Sequence, residues 1–403
     1  MITRTIAIAL TLCCVMLLTG CWDALELNRR AIVAGIGIDH APEAEGQYLV
    51  SFQVIIADEI SGKTGRGATP TSIYSGTGHT ISEAIRSASR KVPRLISTAH
   101  ARLIIISESV ARQGISEIMD FLDRDSDIRL TADVLITKGD IRAADVAASL
   151  TPIGKITAYS ISQKAELTAQ QSGTSFLIQI DDILRDLLIP GGGPVINSVE
   201  PVGNLKEAGK KSSLENVESP GVVLIGDLTI FKDDKLVNWL TPDESRGMVW
   251  IRNKMKKTAL VIESDDETGD IAVDVNRSKT ALKAQLNDPY HPVIQVNVSV
   301  QLSVREVGAE IDLRNPEVLH QIEQKINEVI ARDLRAVVQK AQSAKSDVFR
   351  FGDVVQRQSP RVWNKIEDRW EDLFPQLEVE YKVNSVIRGT ELRDRSHKYN
   401  QDS

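Results

Sequence analysis

The chain is poor in cysteine, in aromatics and in long apolar runs and lacks a positive net charge, and each shortage removes a class of function. Its three cysteines, Cys13, Cys14 and Cys21, all lie within the first 21 of 403 residues. Downstream of Cys21 neither a disulfide framework nor thiol catalysis is available. Aromatics make up 4% of the chain, so aliphatic side chains must fill its cores. The net charge is −7, which argues against nucleic-acid binding, where a basic face is the usual footprint. It argues equally against general attraction to anionic lipid, so any membrane contact needs another cause. A bilayer-spanning helix needs ~20 consecutive apolar residues, and no run in the sequence reaches that. There is no internal repeat. Charged residues are 26% and hydrophobic residues 42%, the balance of a folded globular protein. At ~150 residues per domain the length predicts two or three domains.

The N-terminus supplies a cause for membrane contact. Arg4 is followed by the apolar run Ile6 to Leu18. A short apolar run behind a basic start is the form of a secretory signal; the alternative is a short uncleaved anchor. Leu18-Thr19-Gly20-Cys21 then resembles the bacterial lipobox, an apolar residue and small residues before the acceptor Cys. Residues 1–20 are therefore expected to be a lipoprotein signal peptide. Cys21 is expected to carry S-diacylglycerol and an N-acyl group, palmitate among them. One buried acyl chain binds a bilayer marginally, whereas two hold it stably.

Trp22 to Ala31 reads as a short helix or turn, with Trp22 near the headgroups. Ile32–Asp39 and Tyr48–Ala57 read as strands of a hairpin. Ser61 to Gly78, rich in Gly, Ser and Thr, reads as an exposed loop. Thr80 opens a helix with Ile81, Ala84, Ile85 and Ala88 on one face. Strands are expected at Leu103–Ile106 and Leu130–Thr137, with a helix from Val110 to Leu122 between them. Pro190-Gly191-Gly192-Gly193-Pro194 interrupts regular structure, and Leu205 to Ser219 has few apolar residues. Lys232-Asp233-Asp234-Lys235 reads as a hairpin turn between Val222–Phe231 and Leu236–Leu240. Strict alternation from Ile294 to Val304 marks a long strand with one buried face. Asn315-Pro316-Glu317 is a helix start, and Leu319, Ile322, Ile326, Val329, Val337 and Ala341 form its stripe, over about 30 residues or 45 Å. Ser359-Pro360 opens a helix carrying Trp363, Ile366, Trp370 and Leu373, and Leu377–Ile387 reads as a last strand. The expected fold is α+β and multi-domain. A mixed α/β N-terminal region spans 21–195, in one unit or two subdomains, and 196–220 is a linker or loop. Residues 221–395 form a C-terminal antiparallel sheet packed with a long helix.

Catalytic signatures fail one by one. Gly62-Lys63-Thr64 lacks the earlier Gly of a phosphate loop, since Ala57 stands there, and no helix pattern follows. Gly35-Ile36-Gly37 lacks the third Gly of a dinucleotide fingerprint, so a bulge or close packing is expected. Asp123, Asp125 and Asp127 have calcium-loop spacing, but Ile128 and Val134 stand where Gly and Glu are required; a solvated helix end fits better. His40, His79, His100, His291, His320 and His397 show no metal-ligand spacing, and His100 reads as a structural residue. There is no G-x-S-x-G and no S-x-x-K. No cofactor or metal is expected.

Several stretches together resemble one family. Gly20-Cys21-Trp22-Asp23, Glu26-Leu27-Asn28, Ala31 and Gly35-Ile36-Gly37-Ile38-Asp39 look like the opening signature of the Ger(x)C lipoproteins. These are the C subunits of GerA-type spore germinant receptors. The likeness continues at His100–Ile106, Phe121–Arg129 and Phe231–Leu240, and ends at Trp370 and Ile387-Arg388-Gly389. It covers essentially the whole chain. The resemblance implies a non-enzymatic receptor subunit on the outer face of the spore inner membrane. It also implies two integral membrane partners, the A and B subunits, and small nutrient germinants as triggers. Only Cys21, as the acylated residue, carries over from the family. A solute-binding lipoprotein of an uptake system is the alternative, and would need two βαβ lobes around a cleft. A lipid-anchored enzyme is a third class.

Overall fold

The computed structural model describes residues 29–43, 46–61, 69–263, 269–308 and 311–389, together with Arg4. Cys21 and its lipobox, the Trp22 segment up to residue 28, Gly62-Lys63-Thr64 and His397 lie outside the described residues.

The first half builds one nine-stranded sheet. Its first elements are β1 (Arg30–His40), β2 (Tyr48–Ile55), β3 (Thr71–Gly78), α1 (Ile81–Ser89), β4 (Leu95–Ser97) and β5 (Leu103–Ile106). Then come α2 (Glu108–Gln113), α3 (Ser116–Arg124), β6 (Asp133–Thr137), α4 (Ala143–Ala148), α5 (Thr157–Gln171) and α6 (Ile180–Leu187). β7 (Asn197–Gly203), β8 (Gly221–Lys232) and β9 (Lys235–Trp239) complete the sheet, whose strand order is β3-β2-β1-β5-β6-β7-β8-β9 with β4 beside β1. The central strands are continuous apolar runs because helices cover both faces. Ile104, Ile106, Val134 and Ile136 share a core with Val110 and Ile118 of α2 and α3. Leu103, Ile105 and Leu135 point the other way, into Ala143, Val146, Ala158 and Ile161 of α4 and α5.

The second half continues with α7 (Pro242–Ile251), β10 (Thr258–Glu263), β11 (Asp270–Gln285), β12 (Val293–Val307), α8 (Pro316–Ser343), α9 (Phe351–Gln358), α10 (Pro360–Ile366) and β13 (Glu378–Gly389). Its sheet runs β10-β11-β12-β13. The alternation of β12 buries Ile294, Val296, Val298, Val300, Leu302 and Val304. α8 packs Ile322, Ile326, Ile330, Leu334 and Val337 into the same core. Asn315 caps α8 through Glu317 N, and its 28 residues give about 42 Å of helix.

The architecture agrees with the α+β, multi-domain expectation, and five details differ. First, 196–220 is not an open linker. Asn197–Gly203 is β7, parallel to β6 and antiparallel to β8. Its polar residues find buried partners, as when Asn197 Nδ2 donates to Phe176 O at 2.7 Å, so a polar-looking stretch lies inside the sheet. Second, the β8–β9 hairpin joins the first sheet rather than the second. Third, the C-terminal sheet is not wholly antiparallel: β13 runs parallel to β12, because α8, α9 and α10 carry the chain back across before it pairs. Fourth, Thr71–Gly78, placed in the expected loop, is a strand. Gly76 lies under α1, where a Cβ would come within 2.2 Å of Ala84 O. Fifth, the helix expected from Val110 to Leu122 is two helices broken at Gly114, whose φ is 141°. The β8–β9 turn inserts there, so that Ile115 N donates to Asp234 O at 3.0 Å and Ser116 N to Asp234 Oδ2 at 3.2 Å.

Candidate functional site at the seam between the two sheets

Among the described residues, several of the family-like stretches are joints. Gly35 and Gly37 serve close packing: a Cβ on Gly35 would lie 2.7 Å from Ala158 Cβ, and one on Gly37 3.0 Å from Ala143 C. Asp39 caps α4, accepting from Ala143 N at 2.7 Å and Ala144 N at 3.0 Å. Burial pushes its carboxyl above the usual range against those two bonds. His100 lends its carbonyl to the Tyr159 hydroxyl at 3.2 Å, and the Arg102 guanidinium sits 4.9 Å from the Tyr159 ring centre. Asp125 Oδ1 accepts from Asp127 N at 2.9 Å, a turn that closes the end of α3. Among the described residues no three His, Cys, Asp or Glu gather as a metal site.

The Phe231–Leu240 hairpin reaches from the first sheet to the second. Ser346 Oγ donates to Phe231 O at 2.6 Å, and Lys232 pairs with Glu371. The triple glycine that interrupts the sequence fills the same joint. Asp347 N donates to Gly191 O and Asp233 N to Gly192 O, both at 2.9 Å. A Cβ on Gly193 would fall 2.3 Å from Phe231 O.

Three buried carboxylates hold this region. Asp186, 3% exposed on α6, accepts from Arg350 Nε at 2.7 Å and from Arg252 Nη2 at 3.1 Å. Arg350 adopts φ 62°, a left-handed conformation that costs a non-glycine residue about 1–3 kcal/mol and places its guanidinium on Asp186. Asp347 is fully buried and accepts from Phe351 N at 2.9 Å, Gly352 N at 2.8 Å and Trp370 Nε1 at 3.0 Å. Burial raises its carboxyl while the three donors oppose the rise. Asp333 of α8 faces Arg246 of α7 at 2.7 Å. Burial pushes Asp333 up to about 6 despite that guanidinium, and its Oδ1 has no partner.

Beside Asp186 opens a cleft of about 400 Å³, lined by Phe176, Arg252, Lys254, Thr280, Arg350 and Arg357 among others. Its inner arginines, Arg252 and Arg350, share the single carboxylate of Asp186. A second cleft, about 770 Å³, lies on the first sheet between Tyr48, His79, Glu117, Phe121 and Arg124. The Tyr48 hydroxyl donates to Glu117 at 3.1 Å and is pushed up to about 12, first by burial, so it stays protonated at neutral pH and is no base. His79 Nε2 lies 3.2 Å from Gln47 Nε2 rather than beside a nucleophile. The arrangement joins elements and binds backbone; it does not set a nucleophile against a base.

Sequence reasoning missed the Asp186–Arg252–Arg350 and Asp333–Arg246 pairs, whose partners lie 66, 164 and 87 residues apart. A signal existed. Asp186 falls in register with Ile180 and Ile183, and Asp333 with Ile326 and Ile330, so each acid stands on an apolar stripe. The expected site, Cys21, lies outside the described residues. Among the described residues no helix is long and apolar enough to cross a membrane.

Comparison with known proteins places the whole chain. Residues 23–201 match the family model described as spore germination protein N-terminal domain. Residues 226–391 match the model described as spore germination B3/GerAC like, C-terminal. Spore germination protein KC of Bacillus subtilis (strain 168) is 32% identical over 414 residues, covering 100% of both chains. Spore germination protein B3 of the same organism is 24% identical, over 92% of this chain and 94% of its own. Spore germination protein A3, also from that organism, is 25% identical over 93% and 95%. The crystal structure of the GerBC protein shares the fold, with a TM-score of 0.52 at 19% identity, covering 88% of this chain and 96% of that one.

Proposed function

The chain belongs to the spore germination B3/GerAC-like family, and on that premise we propose that it is the lipid-anchored, non-enzymatic subunit of a membrane germinant receptor, required for nutrient-triggered spore germination. The observation that carries this reading is the full-length 32% identity to spore germination protein KC. The lipobox at Cys21 supports an acyl anchor on the outer face of the spore inner membrane. Integral A and B subunits are then its partners. The body acts as an extracellular scaffold: its buried charges and glycines are spent on joints between elements, which favours a rigid coupler over a catalyst. The tether raises the effective concentration of the body beside its partners, so a weak contact suffices. A solute-binding lipoprotein would need two βαβ lobes, and the β10–β13 sheet with its long helix does not supply the second.

The anchor is tested by Cys21→Ala. Metabolic fatty-acid labelling should mark the wild-type protein and not the variant, which should persist as a longer precursor. A labelled variant would contradict the anchor.

A further inference from the structure

The acidic net charge conceals a local reversal. Residues 84–96, the end of α1 through β4, carry Arg86, Arg90, Lys91 and Arg94 and no acid. Arg29 and Arg30 open the described chain, and Arg30 pairs with Leu95 where β1 runs parallel to β4. Arg29, Arg94, Pro93 and Leu95 line one open cleft. None of the six cations makes an ion pair with another described residue; Lys91 Nζ donates to the Ser75 carbonyl at 2.7 Å, which leaves its charge uncompensated. At the centre of this basic tip Leu95 is 56% exposed, with Val92 half-buried and Pro93 exposed beside it.

The tip lies where the chain leaves the body toward its anchor. Arg29 follows Cys21 by eight positions, so even a fully extended connection spans at most about 29 Å. A diacylated Cys21 therefore holds this end of the body close to the headgroups, and the opposite end of the sheet is not so constrained. Charge attraction decays over about 8 Å at physiological ionic strength, so cations act on a membrane only when held against it. The short connection provides that approach.

We propose that the basic tip around Arg29, Arg90, Arg94 and Leu95 is a docking surface for anionic phospholipid headgroups, with Leu95 entering the interface, so that the tethered body stands on the bilayer in one orientation. The inference rests on the lipid-anchor reading of Cys21. Phosphate groups meet the guanidinium forks of the three arginines, a pairing suited to bidentate contact. The exposed leucine gives the contact an apolar component that salt does not screen.

The test uses the full-length lipoprotein carrying Ser89→Cys, labelled with a fluorophore at that cleft position. It is reconstituted into vesicles of phosphatidylcholine alone, or of equal parts phosphatidylcholine and phosphatidylglycerol, each with a headgroup-borne quencher. Sedimentation with the neutral vesicles reports the anchor by itself. Quenching reports docking. Quenching should be at least about twofold stronger on the anionic vesicles, and should fall to the neutral level with high salt or with Arg90→Glu/Arg94→Glu. An unchanged circular dichroism melt shows that this variant is folded. Equal quenching on both vesicle types, or quenching indifferent to the charge reversal, overturns the proposal with the anchor intact. Quenching that arises only when the integral subunits are also present overturns it too, and makes the tip a protein interface. Failure to sediment with neutral vesicles counts against the anchor, and selective association with the anionic vesicles would still support the tip.

Discussion

Asp186, Asp333 and Asp347 show three ways to bury a carboxylate. Asp347 is satisfied by three uncharged donors, Asp186 by two arginines, and Asp333 by one arginine with an oxygen left over. Removing one member of a buried pair costs about 3–5 kcal/mol, because the partner charge stays behind. Asp186→Ala strands two guanidinium groups at the seam, although Arg350 is partly exposed. We expect a loss of about 3 kcal/mol in urea unfolding, with Asp186→Asn intermediate. A change within about 0.5 kcal/mol would contradict the role of this network. Asp333 makes a prediction of opposite sign from an ordinary paired acid. Its folded value, about 6, exceeds the usual 3.8, so between these values the folded protein holds the proton more readily than the unfolded chain. Its contribution to stability is fullest below about pH 4 and declines as pH rises through about 6. Asp333→Asn lacks that term. Asparagine resembles the protonated acid, so the stability of the variant relative to wild type should rise from pH 4 to pH 7, measured by urea unfolding at both. A relative stability of the variant that falls as pH rises would mean that Arg246 dominates over burial.

At the scale of elements, periodicity and caps were legible and interruptions were not. β12 and α8 could be read because each has a single buried face over many residues, and the Lys232-Asp233-Asp234-Lys235 hairpin because its turn chemistry is local. For Gly35-Ile36-Gly37 the sequence leaves a bulge or close packing open, and the structure shows close packing against Ala158 and Ala143. The break at Gly114 was illegible because its cause, Asp234, which holds Ser116 N, lies 118 residues from Ser116. β3 and β7 look like loops in sequence because their glycines and polar residues meet helix backbone and buried carbonyls, contacts that only the tertiary fold supplies. Gly247 tests this balance. Alanine within a helix is favoured over glycine by about 1 kcal/mol. A Cβ at Gly247, however, would lie 2.3 Å from Asp333 O and 2.8 Å from Asp333 C on the facing helix. Overpacking costs about 1–3 kcal/mol and should win, so Gly247→Ala should melt at a lower temperature. An unchanged or raised melting temperature would show that α7 and α8 can separate freely.

For the whole molecule, the hairpin, the triple glycine and the Asp186 network tie the two halves together, and the proposed attachment of this body is Cys21. That proposal rests on a local sequence motif, while the seam was illegible, since its charges are assembled from distant segments. If the body is a scaffold, disturbing its surface should act on the receptor as a unit. The direct test is a panel of charge reversals across the exposed body in spores. Each strain is scored for the membrane levels of both integral subunits and for its response to every germinant of the receptor. Reversals that impair germination should lower all responses alike and lower the partner subunits with them. A reversal that changes which germinant works, with both partners at wild-type level, would contradict the scaffold role and place germinant sensing on this chain.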